Sequence, residues 1–365
     1  MRMLIAGGGT GGHVYPGIAI AKEIKSIEPD TEILFVGTEK GLENKIVPKE
    51  GFELKTIRSK GINRKSIVDN IKTLNVNIAG LRDAKKIVKD FKPDIAIGTG
   101  GYVTGPVILT CARSKVKTMI HESNVIPGVT NKILSRFVDI IAVSYEDTKS
   151  YFKGVDNKIM VTGNPVRKDL FLYGKFESKH SLGFDTQLPL IVSVGGSRGA
   201  KNINSAVLNY INEILPSNIQ FLFITGDNQY NEIVDQINIE SHKNLKITSY
   251  AYNMPQIYAA ADLIICRAGA MTISEISASG RPSILIPSPY VAENHQEYNA
   301  KALERAGSAK IILEKNLNAE VLNDYITELI CDKKRLNEMG EKAKLLSKPD
   351  ALNKITKLIY ELTGR

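Results

Sequence analysis

Glycine-rich segments beside a histidine are the first feature of this sequence that suggests chemistry. GGGTGGHV begins at Gly7, directly after the apolar run MLIA, and a helical pattern follows it. Gly7, Gly9 and Gly12 fit the dinucleotide pattern G-x-G-x-x-G. The spacing also resembles a P-loop, but His13 and Val14 stand where Lys and Ser/Thr are required. Since glycines let backbone N–H groups approach an anion at a helix N-terminus, the segment predicts a phosphate-bearing ligand.

Two further glycine loops follow the same scheme, GTGGYVTGP at 98–106 and GGSRGA at 195–200. One such turn often carries glycine for packing alone, but three in one chain favour a phosphorylated or sugar ligand. An NAD site would need an acidic residue at the end of the second strand. Here ILFV is followed by Gly37 and Thr38, with Glu39 only beyond them. This order argues against an NAD-dependent oxidoreductase.

A fourth segment, CRAGAMTISEISASGRPSILIPSP, starts at Cys266. Residues 268–272 form a turn of small side chains that leads into a helix containing Ser274 and Glu275. The amides of that turn suit a diphosphate, and the Glu275 carboxylate can accept two hydrogen bonds from a ribose diol. A helix-dipole or capping role for Glu275 is an equal alternative. The amides of AENHQEYNA at 292–300 suit sugar hydroxyls or, alternatively, a solvated helix start.

Two residues are candidates for a general base. His13 follows the first glycine loop, and imidazole titrates near neutral pH, although a histidine at such a turn often only hydrogen-bonds a carbonyl. Glu122, at the carboxyl end of a strand-like run, is the rival base. The sequence contains no Asp-x-Asp, the usual metal-diphosphate motif of glycosyltransferases. We therefore expect neither a metal nor a cofactor.

Apolar strand-like runs alternate with amphipathic helical stretches and would position these loops. The first half predicts helices at 16–28 and 66–90, and the glycine-loop pattern restarts at residue 188. Strands are predicted near 2–6, 32–36, 94–97, 117–121, 138–143 and 158–162, and in LPLIVSV, QFLFITG, LKITSY, DLIICRAGA, PSILIPSP and AKIILE. This alternation predicts an α/β protein with two Rossmann-like, doubly wound domains facing across a cleft.

Length and composition agree with that architecture. The chain has 365 residues, more than one core usually supports, with 43% hydrophobic and 24% charged residues. Its three cysteines are far apart, which fits a reducing compartment without disulfides. No apolar run reaches the length of a membrane span. The net charge of +9 favours anionic partners, but no nucleic-acid signature accompanies it.

Taken in order, the motifs resemble those of the MurG family of glycosyltransferases. They are GGGTGGHVYPG, GTGGYVTGP, HESNVIPG, GNPVR, GGSRGA and RAGAMTISEISASGRPSILIP followed by NHQEYNA. The resemblance covers about residues 3–310 and implies the GT-B fold. It also implies an inverting transfer of GlcNAc from UDP-GlcNAc to the 4-hydroxyl of the muramyl sugar of lipid I, giving lipid II for peptidoglycan. Gly-Asn-Pro in VTGNPV (161–166) predicts the boundary between the halves, and the resemblance implies an acceptor-side domain at 1–163 and a UDP-GlcNAc domain at 164–349. The closing helix at 350–365 is expected to pack back on the first domain or, alternatively, on the second.

The resemblance also assigns substrate contacts. It places Ser197, Arg167 and the backbone around residues 270–274 at the donor diphosphate, Glu275 at the ribose and Gln296 at the GlcNAc hydroxyls. Uracil would meet the main chain at Ala251. The full set of implied substrate-binding residues is Thr10, Gly11, Gly12, Asn124, Arg167, Ser197, Ala251, Ala270, Met271, Thr272, Ile273, Ser274, Glu275 and Gln296. His13 is the implied candidate base.

The implied acceptor carries a polyprenyl chain, so an anionic membrane surface is an expected partner, at the cytoplasmic face of the cell membrane. The basic, amphipathic segment 62–93 is a candidate contact, chiefly through Arg64 and Lys65 at its start, although most of it reads as an ordinary crossover helix. A cell-wall synthesis complex is a further implied partner. The alternatives are another UDP-GlcNAc-using GT-B enzyme (a 2-epimerase or a glycolipid synthase) or a non-catalytic, donor-binding subunit recruited to the membrane.

Overall fold

The computed structural model describes residues 1–61, 67–196, 199–238 and 242–365. The chain divides into two compact units. Unit 1 comprises Met1–Val166 together with Lys348–Arg365, and unit 2 comprises Arg167–Ser347. Over the described ranges, none of the helices combines the length and apolar character needed to span a membrane.

The elements alternate between strand and helix along most of the chain. The strands are β1 (Arg2–Gly7), β2 (Glu32–Thr38), β3 (Glu53–Ile57), β4 (Ile95–Gly100), β5 (Lys117–Glu122), β6 (Ile140–Val143), β7 (Ile159–Val161), β8 (Leu190–Val194), β9 (Gln220–Ile224), β10 (Leu245–Thr248), β11 (Leu263–Cys266), β12 (Ser283–Leu285) and β13 (Ala309–Ile311). The helices are α1 (Gly11–Ile27), α2 (Glu43–Lys49), α3 (Ile67–Phe91), α4 (Thr104–Arg113), α5 (Val129–Leu134), α6 (Lys175–Ser181), α7 (Lys201–Glu213), α8 (Tyr230–Val234), α9 (Met254–Ala260), α10 (Ala270–Ala278), α11 (His295–Arg305), α12 (Ala319–Cys331), α13 (Lys333–Leu346) and α14 (Ala351–Thr363).

Unit 1 is built on a parallel sheet in the order β3-β2-β1-β4-β5-β6-β7. Both faces of the sheet are covered, because alternate residues of β1 enter different apolar clusters. Met3 and Ile5 pack with residues of α1 and α14, whereas Leu4 and Ala6 pack with residues of α3 and α4. The sheet is therefore the middle layer of three, with α14 returning from the far end of the chain to cover the α1 side.

Unit 2 repeats this plan with a parallel sheet in the order β10-β9-β8-β11-β12-β13. Its main core lies where α7 and α12 pack on the sheet. The strand order reverses direction between β1 and β4 in the first sheet and between β8 and β11 in the second. The strands that follow β1 and β8 add toward one edge of the sheet, and those that follow β4 and β11 add toward the other. Ligands of doubly wound folds bind at the carboxyl ends of the strands beside such a switch point. The glycine loops follow β1 and β4 in unit 1, and β8 and β11 in unit 2, so each pair flanks a switch point.

One sequence-based boundary was wrong and one strand was missed. Helix α1 begins at Gly11 rather than near residue 16 and carries Pro16 in its interior. Proline favours the first helical turn, so the pattern alone places the start too late. Strand β3 was not predicted at all. It is the edge strand beside β2, and of its residues only Ile57 is buried, so it lacks the apolar run that marks the other strands.

Candidate active site

The two glycine loops of unit 1 touch each other through their backbones. The Gly8 N–H donates a hydrogen bond to the Gly100 carbonyl at 3.3 Å. Gly9, Gly100 and Gly101 have φ of 87°, 112° and 88°, in the left-handed region that favours glycine. A Cβ at Gly101 would also collide with the Gly8 carbonyl. Glycine is thus required here by both the backbone conformation and the close approach of the loops.

His13 lies in the first turn of α1, with its ring oriented by the preceding loop. Its Nδ1 is 3.0 Å from the Gly8 carbonyl oxygen and 3.3 Å from Thr10 Oγ1. Because a carbonyl oxygen only accepts, Nδ1 carries the proton of the neutral ring and Nε2 keeps the lone pair. The ring is half-buried against Gly100, where a Cβ would collide with it. The imidazole therefore presents Nε2 as a proton acceptor.

Glu122 at the end of β5 is fully engaged in hydrogen bonds. Oε1 accepts from the main-chain and side-chain N–H groups of Asn124, at 3.0 and 3.1 Å. Oε2 accepts from Gly128 N at 3.0 Å and Asn131 Nδ2 at 2.8 Å. The side chain is 4% exposed. Its carboxylate fixes the loop 123–128, and through it Asn124, and this use of both oxygens fits a positioning residue better than a base.

In unit 2, the turn predicted to meet a diphosphate opens α10. Gly269 is the N-cap residue, and the Ile273 N–H already donates to its carbonyl at 2.9 Å. The N–H groups that open a helix have no acceptor within it, which suits an anion. Met271 and Ile273 are buried in the core, so their side chains serve packing and only their backbone can reach a ligand. The Ser274 hydroxyl donates to the Ala270 carbonyl at 2.9 Å.

Glu275 has an unusual electrostatic environment. Burial raises the pKa of its carboxyl to about 7, although the nearby Arg167 guanidinium opposes the shift. Its Oε2 accepts a hydrogen bond from the Tyr258 hydroxyl at 3.4 Å. Burial and the neighbouring Glu275 in turn raise the pKa of Tyr258 well above its ordinary value. Such a pKa shift is typical of a functional site. The effect of Arg167 on this pKa means that Arg167 and Glu275, which were predicted separately, interact electrostatically.

Gln296 lies in the first turn of α11, and its Oε1 accepts a hydrogen bond from Ser288 N at 2.9 Å. The buried Asn299, one turn further on, donates from Nδ2 to the Ala268 carbonyl at 3.3 Å. This bond ties α11 to the turn that precedes α10. The predicted sugar-binding and diphosphate-binding segments are consequently fixed to each other within unit 2.

The chain enters α11 through strained backbone. Glu293 and Asn294 have φ of 54° and 50°, in the left-handed region that non-glycine residues rarely adopt. Each such residue costs on the order of 1–3 kcal/mol and tends to occur at functional sites. Asn294 Nδ2 donates to Glu297 Oε2 at 2.6 Å, which helps to hold the turn.

Some predicted site residues gain no such support. Ala251 is half-buried in the loop between β10 and α9. Ser197, and likewise Arg64 and Lys65 of the proposed membrane segment, lie outside the described residues. Among the residues that are described, no group of three or more His, Cys, Asp or Glu side chains is arranged to hold a metal ion.

Two family models match the chain, one in each unit for the most part. The Glycosyltransferase family 28 N-terminal domain matches residues 3–143, and the Glycosyltransferase family 28 C-terminal domain matches residues 190–355. Together these matches cover all four glycine-bearing turns described above and every strand of the two sheets except β7.

Curated relatives match over the full length. The chain is 52% identical over 366 residues to the UDP-N-acetylglucosamine--N-acetylmuramyl-(pentapeptide) pyrophosphoryl-undecaprenol N-acetylglucosamine transferase of Thermoanaerobacter sp. (strain X514), covering 100% of both chains. It is 46% identical to the protein of that name from Clostridioides difficile (strain 630), covering 99% of this chain and 88% of the relative.

Solved structures show the same fold. Acinetobacter baumannii MurG superposes with a TM-score of 0.76 at 27% identity, covering 99% of each chain. The UDP-GlcNAc 2-epimerase of Neisseria meningitidis, solved with UDP-GlcNAc, has a TM-score of 0.69 at 15% identity, covering 99% of this chain and 100% of its own, a likeness of fold alone. The chain belongs to glycosyltransferase family 28, among the UDP-N-acetylglucosamine--N-acetylmuramyl-(pentapeptide) pyrophosphoryl-undecaprenol N-acetylglucosamine transferases, the MurG family.

Proposed function

We propose that this protein transfers GlcNAc from UDP-GlcNAc to the 4-hydroxyl of the muramyl sugar of lipid I, forming lipid II with inversion at the anomeric carbon. The observation that carries the proposal is the 52% identity, over the whole of both chains, to a transferase named for this reaction. The 2-epimerase alternative is less well supported, because the likeness there is limited to the fold. A non-catalytic subunit would have no need of the oriented His13.

Unit 2 is the proposed donor site. The opening amides of α10 and the Arg167 guanidinium bind the diphosphate, with Ser197 as a further contact. Glu275 accepts hydrogen bonds from the ribose hydroxyls, and the Nε2 group of Gln296 donates to the GlcNAc hydroxyls. The main chain at Ala251 holds uracil. Two observations support this assignment. Arg167 and Glu275 interact electrostatically, and the hydrogen bond from Asn299 holds α11 beside the turn that opens α10.

The proposed chemistry is a single displacement at the anomeric carbon. As the bond to the diphosphate breaks, the leaving oxygen gains negative charge, which the α10 amides and Arg167 stabilise. His13 Nε2 removes the proton of the acceptor hydroxyl. The backbone of Thr10, Gly11 and Gly12 contacts the donor sugar and phosphate. Glu122 holds Asn124 in place rather than accepting the proton itself.

A thermal-shift titration tests the donor specificity. A ligand at 100 times its Kd stabilises the folded state by about 2.7 kcal/mol, which for a chain of this size raises Tm by roughly 3–4 °C. We expect that rise with UDP-GlcNAc and none with NAD. The decisive assay is transfer of labelled GlcNAc from UDP-GlcNAc to a lipid I analogue. Absence of product from the wild-type protein would refute the transferase proposal.

We propose that the protein meets its acceptor at the cytoplasmic face of the membrane, to which it binds peripherally. A cell-wall synthesis complex is a further proposed partner there. The support comes from α5 and the turn after it. Val129, Ile133 and Phe137 are 45%, 56% and 48% exposed, and Lys132 and Arg136 lie between them in the sequence. Apolar side chains flanked by cations suit the headgroup region of anionic lipids.

Ile133→Asp combined with Arg136→Glu is expected to reduce binding to vesicles containing anionic phospholipid by about tenfold, since one interfacial cation contributes about 1 kcal/mol and the apolar contact is also lost. Transfer to a water-soluble acceptor should not change. The matched control is Leu345→Asp with Lys342→Glu, which makes the same exchange on the exposed surface of α13.

Arg64→Glu with Lys65→Glu tests the segment selected from the sequence in the same cosedimentation assay. Loss of vesicle binding in one pair of variants locates the contact. Wild-type binding in both pairs would contradict the membrane proposal.

A further inference from the structure

Glu43, the first residue of α2, is a carboxylate with no exposed surface. It accepts hydrogen bonds from three donors, two on Thr38 at the end of β2 and one in the first glycine loop. Oε1 accepts from Thr38 N and from Thr38 Oγ1, both at 2.8 Å. Oε2 accepts from Gly9 N, also at 2.8 Å. The charge is buried but fully hydrogen-bonded, which is the condition under which a buried carboxylate is tolerated.

Three glycines pack closely against the Glu43 side chain. A Cβ at Gly8 or Gly41 would collide with the Glu43 carboxylate, and one at Gly37 would collide with its Cγ. None of these glycines has a positive φ, so the close approach of the Glu43 side chain, not the backbone conformation, favours glycine there. The first glycine loop and the turn after β2 are thus shaped around this side chain.

The peptide group between Gly8 and Gly9 connects Glu43 to His13 through two hydrogen bonds. The Gly9 N–H and the Gly8 C=O are the two ends of one planar peptide group. On its N–H side this group donates to Glu43, and on its carbonyl side it accepts the hydrogen bond from His13 Nδ1 at 3.0 Å. Hydrogen bonds in such a chain polarise one another, so an anion at the N–H strengthens the carbonyl as an acceptor.

We propose that Glu43 is a positioning residue for transfer, which acts through the Gly8–Gly9 peptide group to hold His13 with Nδ1 protonated and Nε2 free. The relation resembles that of a carboxylate that orients a catalytic histidine, with one peptide group inserted between them. The inference rests on the proposed function, in which His13 is the base. Glu43 touches neither substrate nor the reacting atoms in this scheme.

Glu43→Gln is the informative substitution. The amide has one acceptor oxygen where the carboxylate has two, so it cannot accept from both the Gly9 and Thr38 N–H groups. We expect kcat to fall by about 10- to 100-fold, within the range that general-base catalysis contributes, and the KM for UDP-GlcNAc to change by less than about threefold. Glu23→Gln, a buried glutamate of α1 outside the loops, is the matched control and should keep wild-type kcat.

A double-mutant cycle separates positioning from plain structural support. If Glu43 acts through His13, then Glu43→Gln in the His13→Ala background should change the residual kcat by less than about twofold. An equal loss in both backgrounds would overturn the proposal. Should Glu43→Gln fail to fold by circular dichroism, Thr38→Val removes only the hydroxyl bond to Oε1 and allows a milder cycle, with an expected loss of about two- to fivefold.

The tautomer of His13 provides a readout that needs no activity. The chain has five histidines, so ¹⁵N-histidine labelling gives five pairs of ring ¹⁵N signals, and the pair that is missing from the His13→Ala spectrum belongs to His13. We expect the Nδ1–H form in the wild type and a mixture of tautomers in Glu43→Gln. An unchanged ring spectrum in that variant overturns the coupling. Wild-type transfer activity in His13→Ala would refute His13 as base instead, and the spectra would still test the coupling.

Discussion

Replacing His13 by alanine is expected to lower kcat for GlcNAc transfer by about 10²- to 10⁴-fold, the usual contribution of a general base. Most of the proposed donor contacts lie in unit 2, so the KM for UDP-GlcNAc should stay within about threefold of wild type. The physical reason is the geometry of the ring, since Nδ1 is held by the Gly8 carbonyl and Nε2 is the only nitrogen left to accept a proton. Initial rates with a labelled donor and a lipid I analogue provide the measurement.

The matched control for this experiment is His180→Ala, an exposed histidine at the end of α6, which should leave kcat unchanged. Glu122→Gln tests the rival base. Because both Glu122 oxygens hold the loop 123–128, its main expected effect is a lower Tm. A His13→Ala enzyme with near-wild-type turnover, accompanied by a well-folded but inactive Glu122→Gln enzyme, would reverse the assignment of the two residues.

Glu275→Gln is expected to raise the KM for UDP-GlcNAc by about 10- to 100-fold with little change in kcat. Hydrogen bonds to a charged acceptor contribute about 1.5–3 kcal/mol, and the amide cannot accept two ribose hydroxyls as the carboxylate does. Isothermal titration with UDP-GlcNAc measures the loss directly. Glu304→Gln on the exposed side of α11 is the control, with unchanged affinity.

The same substitution should stabilise the ligand-free protein at alkaline pH. Burial raises the folded-state pKa of Glu275 from 4.5 to about 7, so between these values the folded carboxyl keeps a proton that the unfolded chain has released. The free energy of unfolding therefore falls as pH rises through this window and stays lower above it. Glutamine does not titrate, so Glu275→Gln should show a higher Tm than wild type at pH 8, and the advantage should disappear below about pH 5.

Donor binding should show the opposite dependence on pH. Wild-type affinity for UDP-GlcNAc should weaken as pH falls below about 7, because the protonated carboxyl loses acceptor capacity, whereas Glu275→Gln should be nearly insensitive to pH. A variant with wild-type affinity at pH 8 would remove Glu275 from the ribose site. A variant with wild-type affinity and lower Tm would point to the helix-capping alternative.

The sequence predicted the α/β fold class because each glycine loop follows a buried, apolar strand, and the two sheets confirm it. It missed β3, since an edge strand with one buried residue has no apolar run. It also missed Glu43, because the bond to Gly9 joins residues 34 positions apart and no local pattern marks it. Gly8, Gly37 and Gly41 pack against Glu43, but this reason for glycine at the three positions is apparent only from the structure.

The candidate site was less accessible to sequence reasoning than the fold. Motif order singled out His13, Glu275 and Gln296, and these remain predictions for substrate contact. Their environments could not be predicted, because the pKa of Glu275 depends on its burial and on interactions with Tyr258 and Arg167, which belong to other parts of the chain. The same limit applies to Glu122, because its residue type suggested a base. Its hydrogen bonds, three from the loop 123–128 and one from Asn131 of α5, indicate a structural role.

The return of α14 onto α1 also fixes an order of events during synthesis. Ile355 and Ile359 of α14 belong to the same buried cluster as Ile20 and Ile24 of α1. The ribosome makes all of unit 2 between these two helices, an interval on the order of ten to forty seconds at bacterial elongation rates. Unit 2 can therefore finish folding first, while the nascent unit 1 waits with one apolar face uncovered until its last helix emerges.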